Sequence, residues 1–309
     1  GVRFQADIAQ QFVIMPPLLS LSKAFPSVQK EFKRLADKPI PWVGVYDQPP
    51  FWPMRASPQG TTPRKYELNR DRRISDASAP EKELFDSDGV PVVSLNVASA
   101  APRRVGEELL GIPKEHKPTL RMVMRDVAIL LCIAAATNEP VFLFTDDMAD
   151  YFNQLRLAPE DEWKSVVVTL AQEGDPGYDA RRPSLVYVNE RVLGFGTLRS
   201  SNYAQRHTNL LMEVHQRRAL ADDRRISYGH RSSRLRRLLA RRRALGERTG
   251  QPEDRRFTNH CYTDDCIFAV IGEEGTISAL RTWRSICREL NLLMAIPKKR
   301  EIGTMVIWL

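Results

Sequence analysis

The sequence has few of the features that mark membrane-spanning or secreted proteins. Its longest apolar run, Val127–Ala136, is roughly half the length that a helix needs to cross a bilayer. No secretory leader is recognisable at the start of the chain. The four cysteines, at positions 132, 261, 266 and 287, do not form a disulfide framework and fit no structural zinc pattern. We therefore expect reduced thiols, no membrane partner and an intracellular location, with cytoplasm and nucleus both left open.

Lysine is absent from one segment, which instead concentrates the basic charge of the protein. Residues 217–256 contain fourteen arginines and five acidic residues, and the whole chain carries a net charge of +8, so the remainder is close to neutral. Arg241, Arg242 and Arg243 are suited to phosphate contacts, although the leucines among them are equally typical of a solvated helix. With 42% hydrophobic and 27% charged residues, the chain is predicted to be globular, neither disordered nor fibrous.

Helical and strand-like patterns are mixed without strict alternation, which predicts the α+β class. Apolar spacing predicts a helix from Leu120, capped by Thr119 and ended by residues 138–140. A long helix is predicted after the turn at 193–196, with one face formed by Tyr203, His207, Leu210, Leu211 and Val214. Strands are predicted at 141–145, 164–170, 185–188 and 305–309, and a strand–turn–strand unit at 261–271. The proline-rich stretch 1–64 is predicted to be an irregular lead-in.

Two acidic sites stand out because each lies at the end of an apolar strand. Asp147 follows the strand 141–145, and Asp264 with Asp265 interrupts the apolar run 261–271. A carboxylate among apolar residues is costly unless it is paired or binds a cation. Aspartate is also a common turn residue, which explains each site equally well when it is taken alone. Asp146 is a rival to Asp147 at the first site.

These aspartates belong to an ordered series of short motifs. In chain order the motifs are Arg70-Asp-Arg-Arg-Ile-Ser-Asp76, Asp147-x-x-Asp150-Tyr151-Phe152-x-Gln154, Leu193-Gly-Phe-Gly196 followed by Ser200 and Gln205, Tyr262-Thr-Asp-Asp265, and Pro297-Lys298-Lys299. In this order and at these separations, the series resembles the reverse transcriptase family over roughly residues 65–309.

The resemblance implies a polymerase right-hand fold with fingers and palm, the palm being a ferredoxin-like antiparallel sheet with packed helices. It assigns residues 65–117 and 158–192 to the fingers. Residues 118–157 and 193–309 become the palm, with the Arg-rich insert at 217–256. The chain ends at Leu309, where the primer-grip strand of the family begins. We therefore expect the thumb, and RNase H or integrase/recombinase regions, in a longer polyprotein of a retrotransposon-like element.

The resemblance also assigns catalytic roles. Asp147 and Asp264 would be the bridging ligands of two Mg²⁺ ions, or of Mn²⁺ in their place. Asp265 would be an auxiliary ligand, because neighbouring side chains on a strand point to opposite faces. Lys299, with Lys298 as a near-equal alternative, would protonate the pyrophosphate leaving group.

The expected partners are dNTPs and an RNA or DNA template with its primer. Phe152 would exclude ribonucleotides by bulk against the 2′-hydroxyl, and Arg72 would grip the triphosphate. The other predicted contacts with the nucleotide or template are Asp150, Tyr151, Phe195, Gly196 and Gln205. Arg241, Arg242 and Arg243 would contact the template-primer backbone.

Some residues depart from the family pattern. Tyr151 stands where the family has a small residue, and it is expected to crowd the 3′ side of the sugar. Gly194 and Ser201 replace prolines of the third motif. The sequence therefore predicts an RNA-directed DNA polymerase of a divergent branch. The alternatives are a catalytically silent palm that binds nucleic acid, and a viral RNA-dependent RNA polymerase, against which Phe152 and Tyr262 argue.

Overall fold

The computed structural model describes residues 10–16, 18–64, 67–80, 82–100, 103–105, 108–110, 115–194, 196–197, 200–226, 237–238, 240–241, 244, 256–295 and 302–303. Within these residues the chain is a mixed α and β protein. It divides into two compact units. Unit 1 consists of residues 1–114 and 152–203, and unit 2 of residues 115–151 and 204–309. Among the described helices, none combines the length and the apolarity that crossing a membrane requires.

The elements of both units are numbered here along the chain. The strands are β1 (Phe12–Ile14), β2 (Val43–Tyr46), β3 (Met54–Ala56), β4 (Gln59–Arg64), β5 (Glu67–Ser75), β6 (Arg103–Val105), β7 (Glu108–Leu110), β8 (Val141–Asp147), β9 (Val166–Leu170), β10 (Leu185–Glu190), β11 (Phe257–Tyr262), β12 (Asp265–Ile271) and β13 (Ile302–Gly303). The helices are α1 (Leu19–Ala36), α2 (Leu95–Ala100), α3 (Leu120–Thr137), α4 (Ser200–Ile226) and α5 (Glu273–Glu289). Two short 3₁₀ helices, Tyr151–Gln154 and Pro159–Lys164, lie between β8 and β9.

Unit 1 is built on a mixed five-stranded sheet in the order β1-β3-β9-β10-β2. β3 is parallel to β1 and β9, whereas β10 is antiparallel to both β9 and β2. The predicted hairpin of β9 and β10 is confirmed. Helix α1 buries Val28, Phe32 and Leu35 in one apolar cluster with Val167 and Val188 of the sheet. This burial on the sheet stabilises a helix that would be marginal in isolation.

The prediction of an irregular lead-in over residues 1–64 is wrong, because its described part contains α1 and strands β1 to β4. Prolines dominate the composition there, yet Pro26 lies inside α1 without ending it. Leu21, Val28, Phe32 and Leu35 recur at helical spacing and are buried. Tertiary packing therefore outweighs the local cost of the proline.

Unit 2 is built on a four-stranded antiparallel sheet in the order β11-β12-β8-β13. β8 pairs with β12 along its whole length, from Val141 opposite Ile271 to Asp147 opposite Asp265. Helix α3 packs on this sheet, where Leu130 and Ile133 form a buried cluster with Val141, Ile271 and other residues. The central position of β8 thus places Asp147 at an internal strand end.

Helix α3 confirms its prediction at both ends. It begins at Leu120, and the Thr119 side chain accepts a hydrogen bond from the Met122 backbone N–H. This bond satisfies one of the otherwise unpaired donors of the first turn. The helix ends at Thr137, and its C-cap Asn138 has a left-handed φ of +56°, a conformation that asparagine tolerates.

The face predicted on α4, formed by Tyr203, His207, Leu210, Leu211 and Val214, is buried only in part. Of its members only Leu211 is buried, whereas Leu210 is 60% exposed. The residues that α4 buries are Ser200, Ala204, Gln205, Thr208, Leu211, Met212, His215 and Ala219. Four of these are polar, so a pattern of apolar residues alone does not identify the buried face of the helix.

His215 is fully buried, and it lies among aromatic rings. Its ring makes edge contacts with Phe257, Phe268 and Trp283. The two ring nitrogens bond the Ala279 carbonyl at 3.0 Å and the Asn259 side chain at 3.1 Å. Burial lowers the pKa of His215 to about 4, although the bond to Ala279 opposes this shift. The histidine is therefore neutral in the folded protein at neutral pH.

We expect unit 2 to lose stability between pH 6.5 and pH 4 through His215. The unfolded chain takes up a proton below a pKa of about 6.5, while the folded chain resists protonation until about pH 4. The free energy of unfolding should fall by about 2 kcal/mol between pH 6.5 and pH 5. Urea unfolding at a series of pH values measures it, with His215→Gln as the comparison. An identical pH slope in the variant would contradict the assignment.

Candidate functional site

The two aspartate motifs meet at one end of the unit 2 sheet. The antiparallel register of β8 and β12 pairs Asp147 with Asp265. β11 and β12 form a hairpin in which Tyr262 pairs with Asp265, so Thr263 and Asp264 form its two-residue turn. Folding thus brings aspartates from distant parts of the chain into neighbouring positions.

The register determines which aspartates share a face. Directly opposed residues of an antiparallel pair present their side chains on the same face, with Cβ atoms about 5 Å apart. Asp147 and Asp265 are such a pair, and Asp264 lies one residue beyond them in the turn. The motif assigns Asp264 as the main partner of Asp147, whereas the register makes Asp265 its direct neighbour.

The carboxylates at this end of the sheet are two of the oxygen ligands that Mg²⁺ prefers. Within the described part of the chain, no three His, Cys, Asp or Glu side chains are grouped as a ready-made metal cage. Mg²⁺ is commonly held by one or two carboxylates, with waters and substrate phosphates completing its octahedron. Asp147 and Asp265 therefore fit a two-carboxylate site that a substrate completes.

Asp146, the rival of Asp147, is directed into the interior of unit 2. It is 3% exposed, and its Oδ2 accepts a hydrogen bond from Trp283 Nε1 at 3.2 Å. Its Oδ1 accepts a bond from the Asp147 backbone N–H at 3.2 Å. Asp147 is half-buried. The structure thus separates the two neighbours into a core residue and a residue of the sheet end.

The segment after α5 borders the strand end that carries Asp147. The Ala295 N–H donates to the Asp147 carbonyl at 2.8 Å, and the Ala149 N–H donates to the Leu293 carbonyl at 2.9 Å. Asp150 follows in an exposed, left-handed turn with φ +50°. The backbone around Asp147 is therefore held on two sides, by β12 and by this segment.

The turn of the hairpin is strained and is held by helix α4. Thr263 has a φ of +60°, which a β-branched residue rarely adopts. Its N–H donates to Gln205 Oε1 at 2.9 Å, and its carbonyl accepts a bond from the Thr208 hydroxyl. The Gln205 Nε2 donates to the Cys261 carbonyl at 3.0 Å. Three hydrogen bonds from one helix thus fix the backbone next to Asp264.

This arrangement corrects the role predicted for Gln205. The motif predicts a contact with the template or nucleotide, but Gln205 is fully buried. Both ends of its amide bond the hairpin backbone instead. A buried amide without such partners would be costly, so its hydrogen-bonding capacity is used inside the protein.

Tyr151 also lies inside unit 2, at 2% exposure, and its predicted crowding of the sugar stays a prediction. Its hydroxyl oxygen lies 2.7 Å from His207 Nδ1 and 2.8 Å from the Thr208 hydroxyl. Burial raises the pKa of Tyr151, and the charge of Asp264 raises it further, against the opposing effect of the Thr208 bond. Burial likewise lowers the pKa of His207. Both rings are therefore neutral at neutral pH.

The expectation of reduced thiols is wrong for Cys261 and Cys266, which the structure joins in a disulfide. These residues are directly opposed in the β11–β12 register. Their Cα atoms are 4.0 Å apart, so the hairpin itself brings the two sulfurs together. Cys132 and Cys287 are not disulfide-bonded.

Three of the predicted substrate residues lie in unit 1. Arg72 is in β5, opposite Thr62 of β4. Phe152 is half-buried in the first 3₁₀ helix. Gly196 has a φ of +114°, and a Cβ at that position would overlap the carbonyl oxygen of Ser75. The close backbone approach predicted for Gly196 therefore exists, but its partner is the protein's own β5.

Several predicted residues lie outside the described residues. They are Phe195, Lys298, Lys299, Arg242, Arg243 and the strand 305–309. Arg241 is helical and exposed, as is Arg237 one turn earlier. Leu238, between them, is partly buried against the apolar cluster of α3 and the sheet. Around Leu238, the described arginines Arg237 and Arg241 are therefore exposed, whereas Arg256 at the end of the segment is buried.

The motifs did not reveal Thr208, His207 and Trp283, which support the two aspartate sites. All three lie on helices. Apolar periodicity predicts whether a helical residue is in the core or at the surface, but it does not indicate that a residue supports a site. A usable signal exists only for Thr208, which lies three residues after Gln205 and so shares its helical face.

No protein-family model matches this sequence, and no curated protein matches it. Among solved structures, the chain is distantly similar to a prototype foamy virus protease-reverse transcriptase, a CSH mutant, with a TM-score of 0.47 and 15% identical residues. The similarity covers 96% of this chain and 27% of that one. The chain therefore spans about a quarter of the length of the structure that it resembles.

Proposed function

We propose that the protein is an RNA-directed DNA polymerase domain, with unit 2 as its palm and unit 1 as its fingers. The observation that carries the proposal is the register of β8 and β12, which makes Asp147 and Asp265 neighbours beside the turn of Asp264. The ordered motifs supply the chemistry that this sheet end would perform. The finer assignment to a retrotransposon-like element rests on the motifs alone.

Nucleotidyl transfer develops negative charge on the attacking and leaving oxygens. Bound Mg²⁺ would neutralise that charge, with Mn²⁺ as a substitute. Asp147 and Asp265 would hold the ion from two neighbouring strands, and Asp264 would approach from the turn. The bonds to Gln205 and Thr208 would keep this turn from moving during the reaction.

The proposed partner is a template-primer duplex with dNTPs. Exposed Arg237 and Arg241 face solvent while Leu238 packs inward. In this arrangement the leucine packs against the protein, and the guanidinium groups are exposed where phosphates could bind. Phe152, Arg72 and Lys299 keep their predicted contacts with the sugar, the triphosphate and the leaving pyrophosphate as part of this proposal.

The test is the addition of a single deoxynucleotide to a DNA primer on an RNA template with Mg²⁺. We expect the chain to add the nucleotide and Asp264→Asn to abolish the addition, since the amide removes a negative charge next to the metal. Asp179→Asn is the matched control, because Asp179 lies in an exposed loop ion pair with Arg182. Equal activity in Asp264→Asn and the unmodified chain would reject the proposed site.

A further inference from the structure

We propose that Tyr151 is a positioning residue that sets the separation between the two aspartate motifs. The inference rests on the proposed function. Tyr151 directly follows Asp150 and therefore ends the segment that begins at Asp147. Its hydroxyl reaches helix α4, which in turn holds the turn before Asp264.

The link consists of two hydroxyl groups in series. The Tyr151 hydroxyl oxygen lies 2.8 Å from that of Thr208, and the Thr208 hydroxyl bonds the Thr263 carbonyl. Because each hydroxyl has one proton and that of Thr208 is donated to the Thr263 carbonyl, Tyr151 donates either to Thr208 or to the Ala204 carbonyl 3.2 Å away. A continuous polar connection therefore runs from the end of one motif to the turn of the other.

Burial makes this connection stiff. Tyr151 is 2% exposed, and Thr208 is fully buried beside it. Buried hydroxyl groups that are fully bonded cannot rotate away to water, because an unpaired polar group in the interior is costly. The His207 ring, 2.7 Å from the hydroxyl, further restricts its orientation. The link thus has few alternative arrangements in the folded protein, all of them with partners on α4 or in the turn.

The strain at Thr263 gives the link a function. A threonine at φ +60° persists only where surrounding contacts hold it. Loss of the Tyr151 hydroxyl leaves Thr208 without one of its partners and loosens its bond to the Thr263 carbonyl. The turn would then relax and displace Asp264 relative to Asp147. A displacement of about 1 Å in a reacting group can cost about 100-fold in rate.

The position of Tyr151 also accounts for its departure from the motif. A small residue at this place could not reach α4, whereas the phenol spans the distance to Thr208 and His207. The tyrosine is thus part of the support of the aspartates. No contact with substrate is required for its effect.

The experiment compares Tyr151→Phe, which removes only the hydroxyl, with the unmodified chain. We expect Mn²⁺ affinity without nucleotide to fall about 10-fold and kcat for single-nucleotide addition to fall 10- to 100-fold. The Mg²⁺ concentration for half-maximal rate should rise, while KM for the dNTP stays within about twofold. Tyr187→Phe is the matched control, because Tyr187 is a buried tyrosine in the sheet of unit 1. It should leave all four quantities unchanged.

A second pair of variants covers the case in which Tyr151→Phe does not fold. Thr208→Val removes the second hydroxyl and should reproduce the losses, whereas Thr208→Ser should restore near-normal values. Unmodified Mn²⁺ affinity and unmodified Mg²⁺ dependence in Tyr151→Phe or Thr208→Val would overturn the positioning role alone. Absence of both metal binding and nucleotide addition in the unmodified chain would overturn the proposed function, and this inference with it.

Discussion

Asparagine at position 147 is expected to slow metal-dependent nucleotide addition by about a thousandfold or more, while leaving the fold intact. Asp147 is half-buried at the strand end and lies opposite Asp265. A bound metal contributes several kcal/mol to stabilising charge in the transition state, and each 1.36 kcal/mol corresponds to about a tenfold change in rate. Loss of a ligand charge should therefore remove most of that contribution.

The same substitution at Asp146 should lower stability instead. Its two carboxylate oxygens accept bonds from Trp283 Nε1 and from the Asp147 N–H. An amide offers only one acceptor atom, so one buried donor loses its partner at a cost of about 1 to 3 kcal/mol. Residual activity should remain far above that of Asp147→Asn when both are measured well below the unfolding temperature.

The pair of variants decides between the two candidate residues of this motif. Urea unfolding measures the free energy of unfolding, and single-nucleotide addition measures the chemistry. If Asp146→Asn lost activity while Asp147→Asn retained it, the metal site would belong to Asp146. In that case the face of β8 assigned from its pairing with β12 would be wrong.

Local signals were sufficient to predict helix α3 and the two strand–turn units. Thr119 caps the helix with its own side chain, and apolar spacing continues unbroken to Ile133. The run 261–271 is divided by a turn of two residues, which fixes the hairpin register without long-range information. Elements of this kind follow from residues that are close in sequence.

The buried face of α4 could not be predicted from apolar periodicity. Gln205, Thr208 and His215 are polar, and each is buried because it bonds a partner from another part of the chain. Those partners are known only after folding. The same reason explains why Gln205 was predicted to face a substrate and why Tyr151 was expected to crowd one.

The motifs point to the aspartates of this sheet end but do not show which of them face one another. The motifs single out three aspartates, but the rule of alternating faces, applied to β12 alone, made Asp265 auxiliary. Pairing with β8 places Asp265 directly opposite Asp147. Which of two adjacent residues shares a face with a third depends on the register between strands, and register is a tertiary property.

Alanine at position 196 is expected to destabilise unit 1 by more than about 3 kcal/mol, one of the largest effects of any single methyl group in this protein. Gly196 has a φ of +114°, at which a side chain costs about 1 to 3 kcal/mol. A Cβ there would also overlap the carbonyl oxygen of Ser75. Since Ser75 contributes backbone at the end of β5, no side-chain rotation can relieve the overlap.

Gly174→Ala separates these two causes. Gly174 has a similar φ of +92°, but no atom lies within 4 Å of a Cβ at its position. Its substitution should therefore cost only the backbone strain, and the additional loss in Gly196→Ala measures the contact with Ser75. If Gly196 instead serves mainly to admit a nucleotide, both variants should lose equal stability in urea, and only Gly196→Ala should raise KM for the dNTP. A larger loss of stability at Gly196 without any nucleotide present would establish that the glycine of this motif first allows β5 to pack, and that any role towards the substrate depends on that packing.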